Sequence, residues 1–346
     1  MCPVFCDNIR DGLLNVIHDI PFDKLFVLLD EQTEKLCFPL LKLEEAQIIR
    51  IKSGESNKNI ATVGHVWQQL SALGASRHSL LVNVGGGMLT DLGGFAAATF
   101  KRGIRYVNVP TTLLAMVDAS VGGKTGINLD GLKNEIGAFC PAEQVVVCTR
   151  FLLTLDKRNC LSGYAEMIKH GLLSNTAHWA ELMSFDWQKP DLSLLQDMAM
   201  RSVLIKQLIV EKDPYESGTR KALNFGHTVG HALESFSRHR AEPLLHGTAV
   251  AFGMVCELYL SFMKLGFPKD KLRQTVQYIK DNYSAFAFDC KHYDELYELM
   301  THDKKNVADT ICFTLLSQIG DFRINQQVTH DEIFEALDFY RESLGA

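Results

Sequence analysis

Residues 80–94 read L-L-V-N-V-G-G-G-M-L-T-D-L-G-G. Leu80–Val84 is a short apolar run, which predicts a buried strand. Gly85, Gly86 and Gly87 follow at once, and the pattern from Leu89 to Phe100 is helical. Strand, glycine turn and helix form the unit from which parallel α/β sheets are built. Glycines there let the backbone approach a ligand, and the helix N-terminus beyond them attracts a phosphate. The spacing is not G-x-G-x-x-G, so a closely packed turn accounts for the glycines equally well.

The same texture extends on both sides. Leu25–Asp30 (L-F-V-L-L-D) and Ile48–Ile51 read as strands, Ala61–Leu73 as a helix, and Tyr106–Pro110 and Gln144–Thr149 as further strands. Strands alternating with helices predict an α/β, Rossmann-like N-terminal domain over residues 1–150. Beyond it helical periodicity dominates, near 154–174, 190–212, 219–238, 247–265, 269–282 and 291–302. Phe313–Ile319 reads as a short strand and Asp331–Leu344 as a last helix. A mostly α-helical C-terminal domain is therefore expected over 151–346.

Composition narrows the function. With 346 residues, 47% hydrophobic and 22% charged, the chain can bury a large core. A net charge of -6 argues against nucleic acid as the main partner. Nine cysteines without a C-x-x-C pair predict free thiols in a reducing compartment. The start, M-C-P-V-F-C-D-N, has no basic stretch followed by an apolar one, and no apolar run has the length of a membrane span. The expectation is a cytoplasmic chain with no membrane partner.

Chemistry-bearing residues gather in a few stretches. In L-N-F-G-H-T-V-G-H-A-L-E, His227 and His231 stand four residues apart and share a helical face; His246 follows in L-L-H-G-T-A-V-A-F-G. Three imidazoles suggest part of a metal site that still wants a carboxylate. Glu166, in S-G-Y-A-E-M-I-K-H-G, has Ala165, Met167 and Ile168 as neighbours and Lys169 three residues on. Two histidines and one carboxylate would leave coordination positions open, as catalytic zinc sites do. Spacing alone points to His231 as the second imidazole, four residues from His227, although sequence distance does not decide between His231 and His246. Val109–Asn128 (V-P-T-T-L-L-A-M-V-D-A-S-V-G-G-K-T-G-I-N) and G-L-K-N at 131–134 crowd hydroxyls, glycines, an aspartate and two lysines. Lys124 after two glycines suggests phosphate binding without Walker spacing. Asp30, ending a strand, suits a ribose hydroxyl or a helix cap.

Six blocks in order then resemble the 3-dehydroquinate synthase family of sugar-phosphate cyclases. They are G-G-G-M-L-T-D-L-G-G-F-A-A-A-T-F-K-R-G, the 109–128 stretch, G-L-K-N-E-I-G-A-F, S-G-Y-A-E-M-I-K-H-G, L-N-F-G-H-T-V-G-H-A-L-E and L-H-G-T-A-V-A-F-G-M. The resemblance implies a carbon–oxygen lyase of aromatic amino acid biosynthesis that holds NAD and Zn2+, with Co2+ as a substitute metal. Its implied substrate is 3-deoxy-D-arabino-heptulosonate 7-phosphate. The C5 hydroxyl is oxidised, phosphate is eliminated, C5 is reduced again, and the opened ring closes by aldol addition.

By the same resemblance Glu166, His227 and His246 are metal ligands, and His231 turns to the substrate phosphate. Lys124, Asn134 and Arg102 also meet phosphate, Arg102 from the second copy of a homodimer. Lys206, Arg220 and Asn224 surround the carboxylate and hydroxyls. Asp118, Lys169 and Glu216 complete the network, and D-K-K at 303–305 adds Lys304, or its neighbour Lys305. For NAD it implies Asp30, Glu55, Lys58, Gly86, Gly87, Asp91, Thr111, Thr112, Lys124, Lys133 and Thr154. A cation cluster suits a phosphorylated sugar acid. Thr248 stands where many members have Glu, Gln32 where Asn is common, and T-L-D-K-R-N departs from the usual T-L-P-x-R-E. None of these is a ligand or key cation. Related cyclases (2-deoxy-scyllo-inosose, valiolone and amino-dehydroquinate synthase types) and metal-dependent alcohol dehydrogenases are the competing enzyme readings. A dinucleotide-binding regulator that has lost activity would show a broken metal or cation set.

Overall fold

The computed structural model describes residues 2–130, 132–301 and 311–346. Two compact units divide the chain: Met1–Cys160 with Leu195–Gln207, and Leu161–Leu194 with Leu208–Ala346. The boundary drawn from sequence after residue 150 falls inside the first unit.

In the first unit the elements run β1 (Val4–Phe5), α1 (Ile9–His18), β2 (Leu25–Asp30), α2 (Glu31–Leu36), α3 (Phe38–Leu41), β3 (Gln47–Ile51), α4 (Ile60–Ala72), β4 (Leu80–Gly85), α5 (Gly87–Thr99), β5 (Arg105–Pro110), β6 (Lys124–Leu129), β7 (Leu132–Phe139) and β8 (Gln144–Val147). Six strands make one sheet, β1-β8-β5-β4-β2-β3, and every ladder is parallel. The α/β expectation is met: β2 and β4 are near-continuous apolar runs because a parallel sheet is covered on both faces. Phe26, Leu28, Leu81, Leu92 and Ala96 lie together in its core. Each large apolar side chain buried there contributes about 1.5–3 kcal/mol.

Register places the candidate cofactor residues. Gly85 pairs with Pro110, and the Thr111 amide donates to the Gly85 carbonyl at 3.0 Å. Asp30 ends β2, and Gly86, Gly87, Thr111 and Thr112 follow the carboxyl ends of its neighbours β4 and β5. That edge is where open parallel sheets bind ligands. Between Thr112 and β8, where the sequence pattern predicts no regular element, the chain nonetheless forms regular structure. Ala115–Ala119 forms a π-helical turn, and β6 and β7 pair as an antiparallel hairpin. π-turns are rare and concentrate at functional positions.

The helical C-terminal part is α6 (Lys157–Ser174), α7 (Thr176–Ser184), α8 (Leu192–Lys212), α9 (His227–Ser237), α10 (His246–Leu265), α11 (Lys269–Asn282), α12 (Tyr293–Thr301), the antiparallel strands β9 (Cys312–Gln318) and β10 (Asp321–Gln327), and α13 (His330–Leu344). The middle of α8 belongs to the first unit. The helix expected over 219–238 is broken. Thr219–Asn224 forms a 3-10 turn, Gly226 takes a left-handed conformation at φ 79, and α9 starts at His227. Arg220 and Asn224 thus stand on a separate turn, not on the histidine helix.

Helix α10 is long and apolar enough to cross a membrane by length and composition, yet 67% of that window is buried inside the protein. It is a core helix. Its glycines permit this packing: a Cβ at Gly253 would fall on the Gly226 carbonyl, and one at Gly247 on the Ser162 carbonyl. Helices α6, α9 and α10 therefore meet backbone to backbone, which brings their functional side chains within reach of one another.

Candidate metal and cofactor sites

Three helices of the second unit each present one group to a common point. Glu166 on α6 is fully buried. His227 opens α9 and His246 opens α10. The Nε2 atoms of His227 and His246 lie 3.5 Å and 3.4 Å from the same Glu166 Oε1. His231, one turn along α9, has its ring 5.2 Å from that of His227 and 5.7 Å from that of His246. Ligand atoms of the three histidines all lie within 4.8 Å of one another.

The other face of each ring is also occupied. His227 Nδ1 sits 3.1 Å from the Phe225 carbonyl and His246 Nδ1 3.2 Å from Glu234 Oε2. A carbonyl only accepts, so His227 Nδ1 carries a proton, and Nε2 is the ring nitrogen turned toward Glu166. Lys169 forms an ion pair with Glu166 and is itself 1% exposed. Burial alone would lower the His246 pKa, but hydrogen bonds and charge from Glu166 and Glu234 override it and raise it to about 9. Its cationic form lies between two carboxylates, so this point in the fold favours positive charge.

The donor set suits a zinc-type ion. At metal–ligand distances of about 2.0–2.1 Å, neighbouring donors in a tetrahedron stand about 3.3–3.4 Å apart. The two separations to Glu166 Oε1 match that edge. One buried carboxylate oxygen and two imidazoles with Nδ1 held from behind make a catalytic-type donor set.

A second cluster in this unit is built on the loop before α9. Asp213 accepts backbone N–H groups from Ser217 (3.0 Å), Gly218 (2.6 Å) and Arg220 (3.0 Å). Burial opposes its ionisation, but these donors outweigh it and hold its pKa down at about 2. The loop so fixed carries Glu216, at φ 59, whose Oε1 accepts from Asn224 Nδ2 at 2.9 Å. Arg220 is buried and donates to the Pro214 carbonyl.

In the first unit a polar chain joins several of the expected residues. Lys58, buried beside α4, donates to Asp91 Oδ2 at 2.6 Å and to Asn134 Oδ1 at 2.5 Å. Asn134 donates its backbone N–H to Asn128 Oδ1, and Asn128 Nδ2 donates to Glu55 Oε1, each at 2.9 Å. Burial pushes the Asp91 carboxyl up, against the pull of Lys58. Lys206 donates to the Asp118 carbonyl at 2.5 Å and to its Oδ1 at 2.8 Å, which ties α8 to the π-turn. Asp30 caps α2, accepting from Gln32 and Thr33, so the helix-cap reading of this residue is realised. Thr154 donates to its own turn at the Phe151 carbonyl. Lys124 and Arg102 are exposed and Lys133 half-buried. Lys304 and Lys305 lie outside the described residues.

Residues 48–162 match the family model for the N-terminal part of 3-dehydroquinate synthase, and residues 163–306 match that for its C-terminal part. The chain belongs to the 3-dehydroquinate synthase family. A 3-dehydroquinate synthase of Parabacteroides distasonis is 55% identical over 346 residues, 99% of this chain and 98% of that protein. Among solved structures, the 2-epi-5-epi-valiolone synthase of Streptomyces hygroscopicus, with NAD+ and Zn2+ bound, superposes with a TM-score of 0.87. Its identity is 25%, over 99% of this chain and 97% of its own. A 2-deoxy-scyllo-inosose synthase complexed with carbaglucose-6-phosphate, NAD+ and Co2+ gives 0.86 at 24% identity, covering 98% and 96%, and shares the fold.

Three polar residues given no role from sequence are held in these networks. Asn128 links Glu55 to Asn134, Glu234 backs His246, and Glu257 binds the amides around His227. Glu234 carried a signal, since it stands seven residues after His227 on the same helical face. Glu257 carried little, as one acid inside the apolar run of α10.

Proposed function

We propose that this chain converts 3-deoxy-D-arabino-heptulosonate 7-phosphate to 3-dehydroquinate and phosphate. The observation that carries the reading is the 55% identity, end to end, to a 3-dehydroquinate synthase. When bound, Zn2+ (or Co2+) supplies Lewis-acid polarisation of the substrate's C5 hydroxyl, and NAD supplies reversible hydride acceptance. Glu166, His227 and His246 would hold the metal. Asp30, Glu55, Lys58, Gly86, Gly87, Asp91, Thr111, Thr112, Lys133 and Thr154 would hold the dinucleotide.

The remaining residues bind, orient and move protons. His231, Lys124 and Asn134 are assigned to the phosphate, where cations and donors stabilise the leaving anion. Lys304 is assigned there too. Arg220, Asn224 and Lys206 are assigned to the carboxylate and hydroxyls. Glu216 orients Asn224, and Asp118 holds Lys206. Lys169 pairs with Glu166, whose carboxylate is the form a metal needs. The reading includes a homodimer in which Arg102 serves the second copy, and a cytoplasmic location.

The test is incubation with the heptulosonate phosphate, NAD and zinc. Equimolar phosphate and 3-dehydroquinate are expected, with no net NADH. Absence of both, with an inosose formed from a hexose phosphate instead, would sink the reading in favour of a related cyclase.

A further inference from the structure

We infer that Glu234 and Glu257 are reciprocal positioning residues, each on one histidine-bearing helix and each fixing the histidine of the other. The inference rests on the metal reading above. The two helices carry matched spacings. Glu234 follows His227 by seven residues on α9, and Glu257 follows His246 by eleven on α10. These are about two and three helical turns, so each acid shares a face with its helix's histidine. The contacts cross over between the helices.

The first crossing is direct. Glu234, 8% exposed at its side chain, places Oε2 3.2 Å from His246 Nδ1. With Nδ1 held there, His246 aims Nε2 at Glu166 Oε1. A carboxylate behind an imidazole fixes the tautomer and ring plane and raises the basicity of the other nitrogen.

The second crossing passes through one peptide. Glu257 is fully buried. Its Oε2 accepts from the Gly226 amide at 2.7 Å and its Oε1 from the Thr228 amide at 3.1 Å. The Phe225–Gly226 peptide thus gives its N–H to Glu257 and its carbonyl to His227 Nδ1. Fixing that peptide plane fixes the His227 ring. Gly226 is the N-cap of α9 and has no side chain to cap it, so the first amides of the helix depend on Glu257. A carboxylate is also favoured at the positive end of a helix.

Both acids act on the site through a histidine. Their removal should loosen metal binding without deleting a ligand. Glutamine separates the two crossings. At 234 it retains one acceptor oxygen for His246 Nδ1. At 257 it accepts from one amide and turns a donor NH2 toward the other.

The experiment compares wild type, Glu234→Gln, Glu234→Ala and Glu257→Gln. Zinc affinity is measured by chelator competition, the visible absorption of the Co2+-substituted protein is recorded, and unfolding of the metal-free protein is followed. About 10- to 100-fold weaker zinc binding is expected for Glu234→Ala and Glu257→Gln. Glu234→Gln should fall between wild type and Glu234→Ala, and the Co2+ spectrum should change in all three. Wild-type zinc affinity and an unchanged Co2+ spectrum, with only the metal-free protein destabilised, would show a merely structural role and overturn the inference. Should Glu257→Gln fail to fold, the Glu234 pair carries the test, since Glu234→Gln keeps the size of the side chain and one acceptor oxygen facing His246. Glu166→Ala serves as the separate control. If it retains zinc, the metal reading itself fails and takes the inference with it.

Discussion

Glu166→Gln is the substitution that asks most of the site. The carboxylate is 0% exposed, the Lys169 ammonium beside it is 1% exposed, and two imidazole nitrogens stand 3.5 Å and 3.4 Å from one of its oxygens. Glutamine keeps the shape and removes the charge. Lys169 then loses the carboxylate it pairs with on α6, a loss worth up to about 3–5 kcal/mol. That figure is an upper bound, because a buried lysine can also shed its proton. At roughly 2–4 °C per kcal/mol for a unit of this size, the metal-free variant should melt about 6–20 °C below wild type. Metal adds a second, separable effect. Zinc at about 1,000 times its dissociation constant stabilises the protein that binds it by about 4 kcal/mol, and the variant should show almost none of this. Calorimetry with and without zinc, paired with metal analysis, reads both effects. A variant that keeps one zinc per chain and the full zinc-dependent rise would refute the assignment of Glu166 as a ligand. One that melts with metal-free wild type would refute the account of Lys169.

Further outcomes follow from other parts of the site. His246→Ala should abolish zinc retention, whereas His231→Ala should keep zinc and lose about 100-fold or more in turnover; zinc loss in His231→Ala would reverse the two roles. Asp213 has a folded pKa of about 2 against about 3.9 unfolded. Its contribution to stability is therefore complete above about pH 4 and is lost as pH falls from there through about 2. The gap in unfolding midpoint between wild type and Asp213→Asn should close over that window, and a gap independent of pH would remove the carboxylate from the account. Gly253→Ala should cost at least the roughly 1–3 kcal/mol of an overpacked core, because its Cβ would fall on the Gly226 carbonyl. Urea unfolding checks this, and a neutral result would mean that α9 and α10 can separate cheaply.

The parallel sheet was legible because its strands are buried on both faces, which writes continuous apolar runs such as Leu25–Asp30 and Leu80–Val84 into the sequence. Strand β1, two residues long, left no periodicity to read, and β6 and β7 were hidden among glycines and polar residues. Their pairing depends on partners rather than on pattern. The break before α9 was missed for a related reason. Thr219–Ser237 keeps helical periodicity through Phe225, and only the left-handed Gly226 ends it. A glycine inside a helical pattern is tolerated often enough that it does not announce a kink.

Site chemistry was legible as residue types and illegible as directions. His227, His231 and His246 could be named from sequence, but nothing in their spacing says which nitrogen faces which neighbour. Orientation comes from the groups behind the rings: a carbonyl behind His227 and Glu234 behind His246. Both rings then turn Nε2 to one oxygen of Glu166, a residue sixty-one positions before His227 in the chain. The close approach of α6, α9 and α10 that makes this possible is set by Gly247 and Gly253, where any side chain would strike backbone. Those glycines read as small residues in an apolar helix. Their physical role is to bring a carboxylate and two imidazoles to about the separation of a tetrahedral edge, so the spacing of these three groups is a consequence of backbone packing before it is one of side-chain chemistry.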